Sequence, residues 1–207
     1  APDYLQPLPD GWDFQQGAAY LVQTLTAWYA LMELGNFKSG HRVLVHSAAG
    51  GVGLQAMKLI TAMGGDAFGT VRSEEKRVFL TQQGFKKVWV RKNNFERQLR
   101  DQQLVFDLVL DGIGGAVQRA SFNALSPMGR LVVFGAAQFT PGKNRPHYLK
   151  AAWQFLLRPK YDVMKLISEN KSVMAFNLIW LWEQVPLMTE LIGEMQKIKI
   201  TPPHTEL

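Results

Sequence analysis

The chain has 207 residues, 47% of them hydrophobic and 19% charged, the profile of a folded globular protein and not of a disordered one. It has no cysteine, which rules out disulfides, thiol catalysis and cysteine-ligated zinc, and suits a reducing compartment such as the cytoplasm. The net charge is +6, but the basic residues are scattered and predict a general pull on anionic ligands, with no nucleic-acid stripe. The apolar run from Phe176 to Trp182 is far below the ~20 residues of a spanning helix, and no basic-then-apolar leader opens the chain.

Pro2, Pro7 and Pro9 mark residues 1–12 as a connector. From Asp13 to Leu34 the apolar residues Leu21, Leu25, Trp28 and Met32 recur at helical spacing, and Gly35 stops the run. The rhythm then changes. Short apolar runs at Val43–Val45, Ala67–Val71, Lys87–Val90, Val105–Leu110 and Arg130–Phe134 read as strands. Between them lie helical stretches at Val52–Met63, Ser73–Gln83, Phe95–Gln102 and Ala116–Leu125. Strands alternating with helices imply parallel pairing through right-handed crossovers, with both sheet faces covered. The expected fold is therefore α/β, a Rossmann-type doubly wound parallel sheet. The remainder predicts a helix-rich insertion over Tyr148–Glu169, a further strand around Val173–Ile179 and a helix over Glu183–Lys197.

The first strand runs into Ser47-Ala48-Ala49-Gly50-Gly51-Val52-Gly53 and then a helix. A dinucleotide pyrophosphate needs this arrangement: a tight turn, no Cβ in its way, and free N–H groups at a helix N-terminus. Gly50 is placed for close approach to the pyrophosphate, and Gly53 for packing of helix on strand. Ala48 stands where the usual pattern has its first glycine, which requires a negative φ there. A glycine pattern alone is weak, and here the strand–loop–helix context carries it.

Sites that prefer NAD place an acid at the end of the second strand, about 20 residues on, to bind the ribose 2′-hydroxyl. This chain has Arg72 and Ser73 there, followed by Glu74, Glu75 and Lys76. The two glutamates suit the first turn of a helix. The basic residues, joined by Arg91 beyond the third strand, suit a 2′-phosphate and predict NADP.

Several stretches together resemble the medium-chain dehydrogenase/reductase superfamily, zinc-free quinone oxidoreductase type, and in particular its vesicle amine transport (VAT-1) branch. They are Leu25-Thr26-Ala27-Trp28-Tyr29-Ala30-Leu31, Val43 to Gly53, Asp107 to Gly115, Gly129 to Gly135 and the tail Glu169 to Leu178. The resemblance implies that Gly50, Gly51, Val52 and Gly53 hold the pyrophosphate. It implies that Lys76 and Arg91 meet the 2′-phosphate, Arg91 standing where relatives carry tyrosine. It puts Thr26 near the nicotinamide and the Phe134-Gly135-Ala136 backbone along the nicotinamide ribose or carboxamide, with Gly112 and Ile113 bordering the adenosine-side ribose. It also implies a GroES-like catalytic domain ahead of residues 1–12, to which residues 201–207 begin the return. On that reading the 207 residues are one domain of a longer enzyme, and the catalytic residues lie elsewhere. A homodimer joined through an edge strand near Ser172–Ile179 is implied as well.

Two other patterns compete. Tyr161 and Lys165 fit the Tyr-x-x-x-Lys spacing of short-chain dehydrogenases, but they follow the fifth strand and read as surface helix residues. His41, His46, His147 and His204 have no paired ligand spacing, so no metal site is expected. The expected function is hydride transfer from NADPH to a quinone or an activated alkene or carbonyl, a small-molecule substrate. The alternative is a non-catalytic NADP(H)-binding or scaffold module, because fold alone does not settle function.

Overall fold

A computed structural model describes residues 7–8, 10–137, 156 and 158–200. The chain opens on helix α1 (Phe14–Tyr29), whose N-terminus is closed by reciprocal bonds between Asp13 and Gln16. The helix passes into a π-turn at Ala30–Leu34 before Gly35 ends it. Strands and helices then alternate as β1 (Arg42–His46), α2 (Gly51–Ala62), β2 (Asp66–Val71), α3 (Glu74–Gln82), β3 (Val88–Val90), α4 (Phe95–Asp101), β4 (Phe106–Asp111), α5 (Gly115–Asn123) and β5 (Leu125–Val133). Helix α6 (Val163–Glu169), strand β6 (Ser172–Ala175), a short 3-10 turn (Leu178–Leu181) and helix α7 (Val185–Gln196) complete it.

The six strands form one parallel sheet in the order β3-β2-β1-β4-β5-β6, the doubly wound arrangement expected from the alternation. The order reverses between β1 and β4, so a crevice opens there at the carboxyl ends of the strands. Val43, Leu44, Val45, Leu108, Val109 and Leu110 in the two central strands are fully buried, because helices cover both faces. Met188, Leu191, Ile192 and Met195 of α7 join α1 and α2 over one face.

Several boundaries differ from the sequence reading. Strand β5 begins at Leu125, five residues early, and takes in a bulge: the pairing jumps from Phe106 with Leu125 to Leu108 with Arg130. Met128 adopts a positive φ of 68° inside it, so Ser126-Pro127-Met128-Gly129, unassigned in the sequence, bends a strand. Consequently α5 stops at Asn123. Strand β6 ends at Ala175 rather than Ile179, because the Asn177 side chain accepts from the Ile179 N–H and starts the 3-10 turn. The predicted insertion over Tyr148–Glu169 lies partly outside the described residues; its described part contains α6.

Candidate functional site

Every residue group assigned to the nucleotide, apart from Thr26, sits at the carboxyl edge of the sheet. Gly50–Gly53 follow β1, Arg72 to Lys76 follow β2, Arg91 follows β3, Gly112 and Ile113 follow β4, and Phe134 to Ala136 follow β5.

In the glycine loop the left-handed residue is Ser47 (φ 53°), not Ala48, so the methyl at 48 meets no backbone strain and is buried against the core. Gly50 caps α2 in an extended conformation and is exposed; a Cβ added to it would meet only the Ser47 carbonyl oxygen, at 3.2 Å, within 4 Å. The space above Gly50 is therefore open, and α2 directs its unpaired N–H groups into it. Gly53 is different. A Cβ there would lie 2.4 Å from the Ser47 oxygen and 2.8 Å from Ala48 Cα, so this glycine lets α2 press against the end of β1. Gly51 has a third reason to lack a side chain: a Cβ would come within 2.2 Å of the Gln23 side chain, which α1 lays over the first turn of α2. Val52 is half-buried beside it. One turn beyond Gln23, the Thr26 hydroxyl donates to the Val22 carbonyl at 2.7 Å and keeps only acceptor capacity for anything else.

At the end of β2 the Ser73 hydroxyl caps α3 by accepting from the Lys76 N–H at 3.5 Å, while Glu74 and Glu75 occupy its first turn as the macrodipole favours. Glu74 pairs with Arg77. That bond, with the charge behind it, holds the Glu74 carboxyl below its ordinary range. Arg72 and Lys76 are exposed, free to meet an anion from solvent.

Arg91 is more constrained. Its N–H bonds the Val71 carbonyl at 2.9 Å, and its guanidinium donates to Thr70 Oγ1 at 2.9 Å. Thr70 Oγ1 lies 2.8 Å from His46 Nδ1, and His46 Nε2 lies 2.6 Å from Ser121 Oγ. Ser121 Oγ donates to the Val117 carbonyl, so it accepts from His46 Nε2–H, and Nδ1 is left to accept from Thr70. His46 is 1% exposed; burial, and then the nearby Arg91 charge, push its pKa down to about 3. Both ring nitrogens are occupied, so His46 is no metal ligand in this arrangement. Among the described residues no three His, Asp or Glu side chains gather to hold a metal ion.

Asp111 at the end of β4 is fully buried. Its carboxylate accepts from the N–H groups of Ile113 (2.8 Å) and Gly114 (3.2 Å), which shapes the turn into α5. Burial raises its pKa, against the pull of those N–H groups, Arg91 and Gln118. The β4 and β5 ends are clamped: Phe134 N–H bonds the Asp111 carbonyl, Ala137 N–H bonds the Gly112 carbonyl, and a Cβ on Gly135 would sit 3.1 Å from the Gly112 oxygen.

Of the pair read as surface helix residues, only Lys165 is one: Tyr161 lies ahead of the helix, half-buried, with its hydroxyl buried and unpaired. Tyr161 precedes the Asp162 cap of α6 and packs its ring on Phe122, while Lys165 pairs with Glu169 at 3.5 Å. Sequence reasoning passed over His46, Thr70 and Asp111 as site residues. Their only signal is a polar residue at or near the carboxyl end of an otherwise apolar strand.

The pattern of the family described as zinc-binding dehydrogenase matches residues 51–193. The chain belongs to the zinc-binding dehydrogenase family. Within it the chain is of the medium-chain dehydrogenase/reductase type, similar to VAT-1 proteins and quinone oxidoreductases. It is 30% identical over 191 residues to the human synaptic vesicle membrane protein VAT-1 homolog, covering 91% of this chain and 48% of that protein. It is 31% identical over 212 residues to a quinone oxidoreductase of Pseudomonas aeruginosa, covering 100% of this chain and 65% of that enzyme. The quinone oxidoreductase of Thermus thermophilus, solved also in complex with NADPH, superposes with a TM-score of 0.72 at 28% identity, over 91% of this chain and 55% of that one. This family member thus spans about half the length of the VAT-1 relatives it matches. Among its described residues no helix is long and apolar enough to cross a membrane.

Proposed function

We propose that this chain is the NADPH-holding part of an oxidoreductase that transfers hydride, without zinc, to a quinone or an activated alkene or carbonyl. The observation that carries the reading is the open cradle over Gly50 at the N-terminus of α2, set at the point where the strand order reverses. Cations stand there at the end of β2 where an NAD site would have an acid.

The residues present fit such a nucleotide. A pyrophosphate would lie over Gly50, Gly51 and Val52, its charge met by the first N–H groups of α2. Arg72, Lys76 and Arg91, with the Ser73 hydroxyl, would meet a 2′-phosphate. Gly112 and Ile113 would border the adenosine ribose. Thr26 and the Phe134–Ala136 backbone would line the nicotinamide end, where the clamp between β4 and β5 keeps the floor rigid. Bound reduced nicotinamide supplies two electrons as hydride. This chain's part is to hold that ring in one place and exclude water from one side of it.

Relatives named quinone oxidoreductase, and the NADPH complex of the Thermus enzyme, support the reading. A cytoplasmic location and a homodimer joined at the β6 edge belong to the same proposal. Protein expressed from the complete gene tests it. NADPH consumption that depends on an added quinone or enone is the expected result. NADPH binding without turnover of any acceptor identifies a nucleotide-binding module instead.

A further inference from the structure

The chain Arg91–Thr70–His46–Ser121 is a directed series of hydrogen bonds that the cofactor reading does not by itself require. Each member hands its neighbour a proton donor in the same sense. The Arg91 guanidinium donates to Thr70 Oγ1, Thr70 Oγ1 to His46 Nδ1, His46 Nε2 to Ser121 Oγ, and Ser121 Oγ to the Val117 carbonyl on α5. The direction is forced from the far end, because the carbonyl can only accept and the guanidinium can only donate. Thr70, His46 and Ser121 are all buried. The series therefore runs under the carboxyl ends of β2 and β1 and is anchored on α5.

Its one member that is not fully buried is Arg91, a long side chain that without Thr70 would sample many rotamers. Thr70 takes one of its five donors and holds the guanidinium at the end of β2. Burial lowers the Arg91 pKa, the Asp111 charge opposes that, and the like charge of Arg72 adds to the lowering. The Arg91 N–H bonds the Val71 carbonyl and so stands beside Arg72; two guanidinium groups at the ends of β2 and β3 favour an anion between them, and an arginine fixed in direction loses less entropy in meeting it.

We infer that Thr70, oriented by His46, is a positioning residue that aims Arg91 at the phosphate of the adenosine end and so sets the preference for a 2′-phosphorylated nucleotide. The inference rests on the cofactor reading above and adds the residues that make one of its cations selective. Thr70 and His46 touch no nucleotide themselves; they act through Arg91.

The test uses the 207-residue chain and four probes: NADPH, NADH, and the adenosine halves 2′,5′-ADP and 5′-AMP, titrated by calorimetry. Thr70→Val removes the hydroxyl at nearly constant volume, and Thr70→Ser restores it. Thr70→Val is expected to weaken NADPH and 2′,5′-ADP by about tenfold, the loss of one well-aimed charge-assisted bond. NADH and 5′-AMP should stay within about twofold, and Thr70→Ser should recover most of the discrimination. In an Arg91→Leu background Thr70→Val should cost no further discrimination, because the two act in series.

A purely structural Thr70 gives a different result. The melting temperature falls, all four probes weaken together or none does, and the preference ratio stays put. That result overturns the inference while leaving the nucleotide site standing. Additive losses from Thr70→Val and Arg91→Leu also overturn it. If the unmodified chain binds none of the four probes, the cofactor reading itself fails and the inference with it.

Discussion

The carbonyl oxygen of Ser47 lies where a Cβ on Gly53 would have to go, 2.4 Å away, whereas the same oxygen stands 3.2 Å from a Cβ on Gly50. Two glycines of one loop thus answer to different physics. Gly53→Ala pushes backbone against backbone, and neither Ser47 nor Ala48 can swing aside. It should cost about 3 kcal/mol, seen as a fall of roughly 6–12 °C in melting temperature. Gly50→Val should leave circular dichroism and melting close to the parent while abolishing nucleotide binding, since its branched side chain fills the open cradle. A Gly50→Val protein that still binds would show that Gly50 serves only the turn.

His46 gives the fold a pH dependence with a definite sign. Its pKa is about 3 in the folded chain against 6.5 for a free histidine, so between those values the unfolded chain binds a proton that the folded chain refuses. Stability is full above about pH 6.5 and declines as the pH falls toward 3, by at most on the order of 5 kcal/mol. Asp111, raised by burial, works the other way in the acid range. The comparison with His46→Asn, which keeps an amide beside Thr70 but takes up no proton, isolates the histidine. Denaturant unfolding at about pH 7 and about pH 4.5, on either side of the ordinary histidine range, should show a smaller acid loss in His46→Asn than in the parent. An equal loss would remove His46 from the account.

Strand β6 is the sheet edge, which makes the expected pairing between two copies possible and also decides which residues can report on it. Phe176 is a poor probe: its N–H bonds the Val133 carbonyl and its ring packs on Tyr29 at 4.9 Å between centroids, so proline there damages the fold whether or not copies associate. Ala175 is exposed, and in a parallel pair alternate residues face opposite neighbours, which turns its N–H toward the open side. Just past it Ile179 and Trp180 are 74% and 80% exposed. Sedimentation of the parent chain should give a dimer, and Ala175→Pro a folded monomer. A parent chain that stays monomeric at high concentration would end the idea.

Much of this architecture was legible in the residues, for reasons that also explain what was not. Strands covered on both faces read as unbroken apolar runs, and so β1, β2, β3 and β4 emerged close to their observed bounds. The glycine loop was legible because its chemistry is local. The start of β5 is hidden in the sequence because a bulge at Met128 interrupts the apolar run, and the end of β6 is hidden because a cap by Asn177 has no periodicity to betray it. The series from Arg91 to Ser121 was illegible for a deeper reason. Its members come from four separate places in the chain, residues 46, 70, 91 and 121, and only the strand order brings them together. A histidine inside an apolar strand signals a buried partner, but the sequence does not say which one.

Under the proposed function, the carboxyl edge of this sheet takes a phosphorylated nicotinamide dinucleotide. Calorimetric titration of the 207-residue chain with NADPH and with NADH, at low and at high salt, tests it most directly. Arg72, Lys76 and Arg91 predict that NADPH binds more tightly by about tenfold or more at low salt, with the gap narrowing as salt screens the exposed Arg72 and Lys76. Equal affinities at low salt, or tighter binding of NADH, would contradict it.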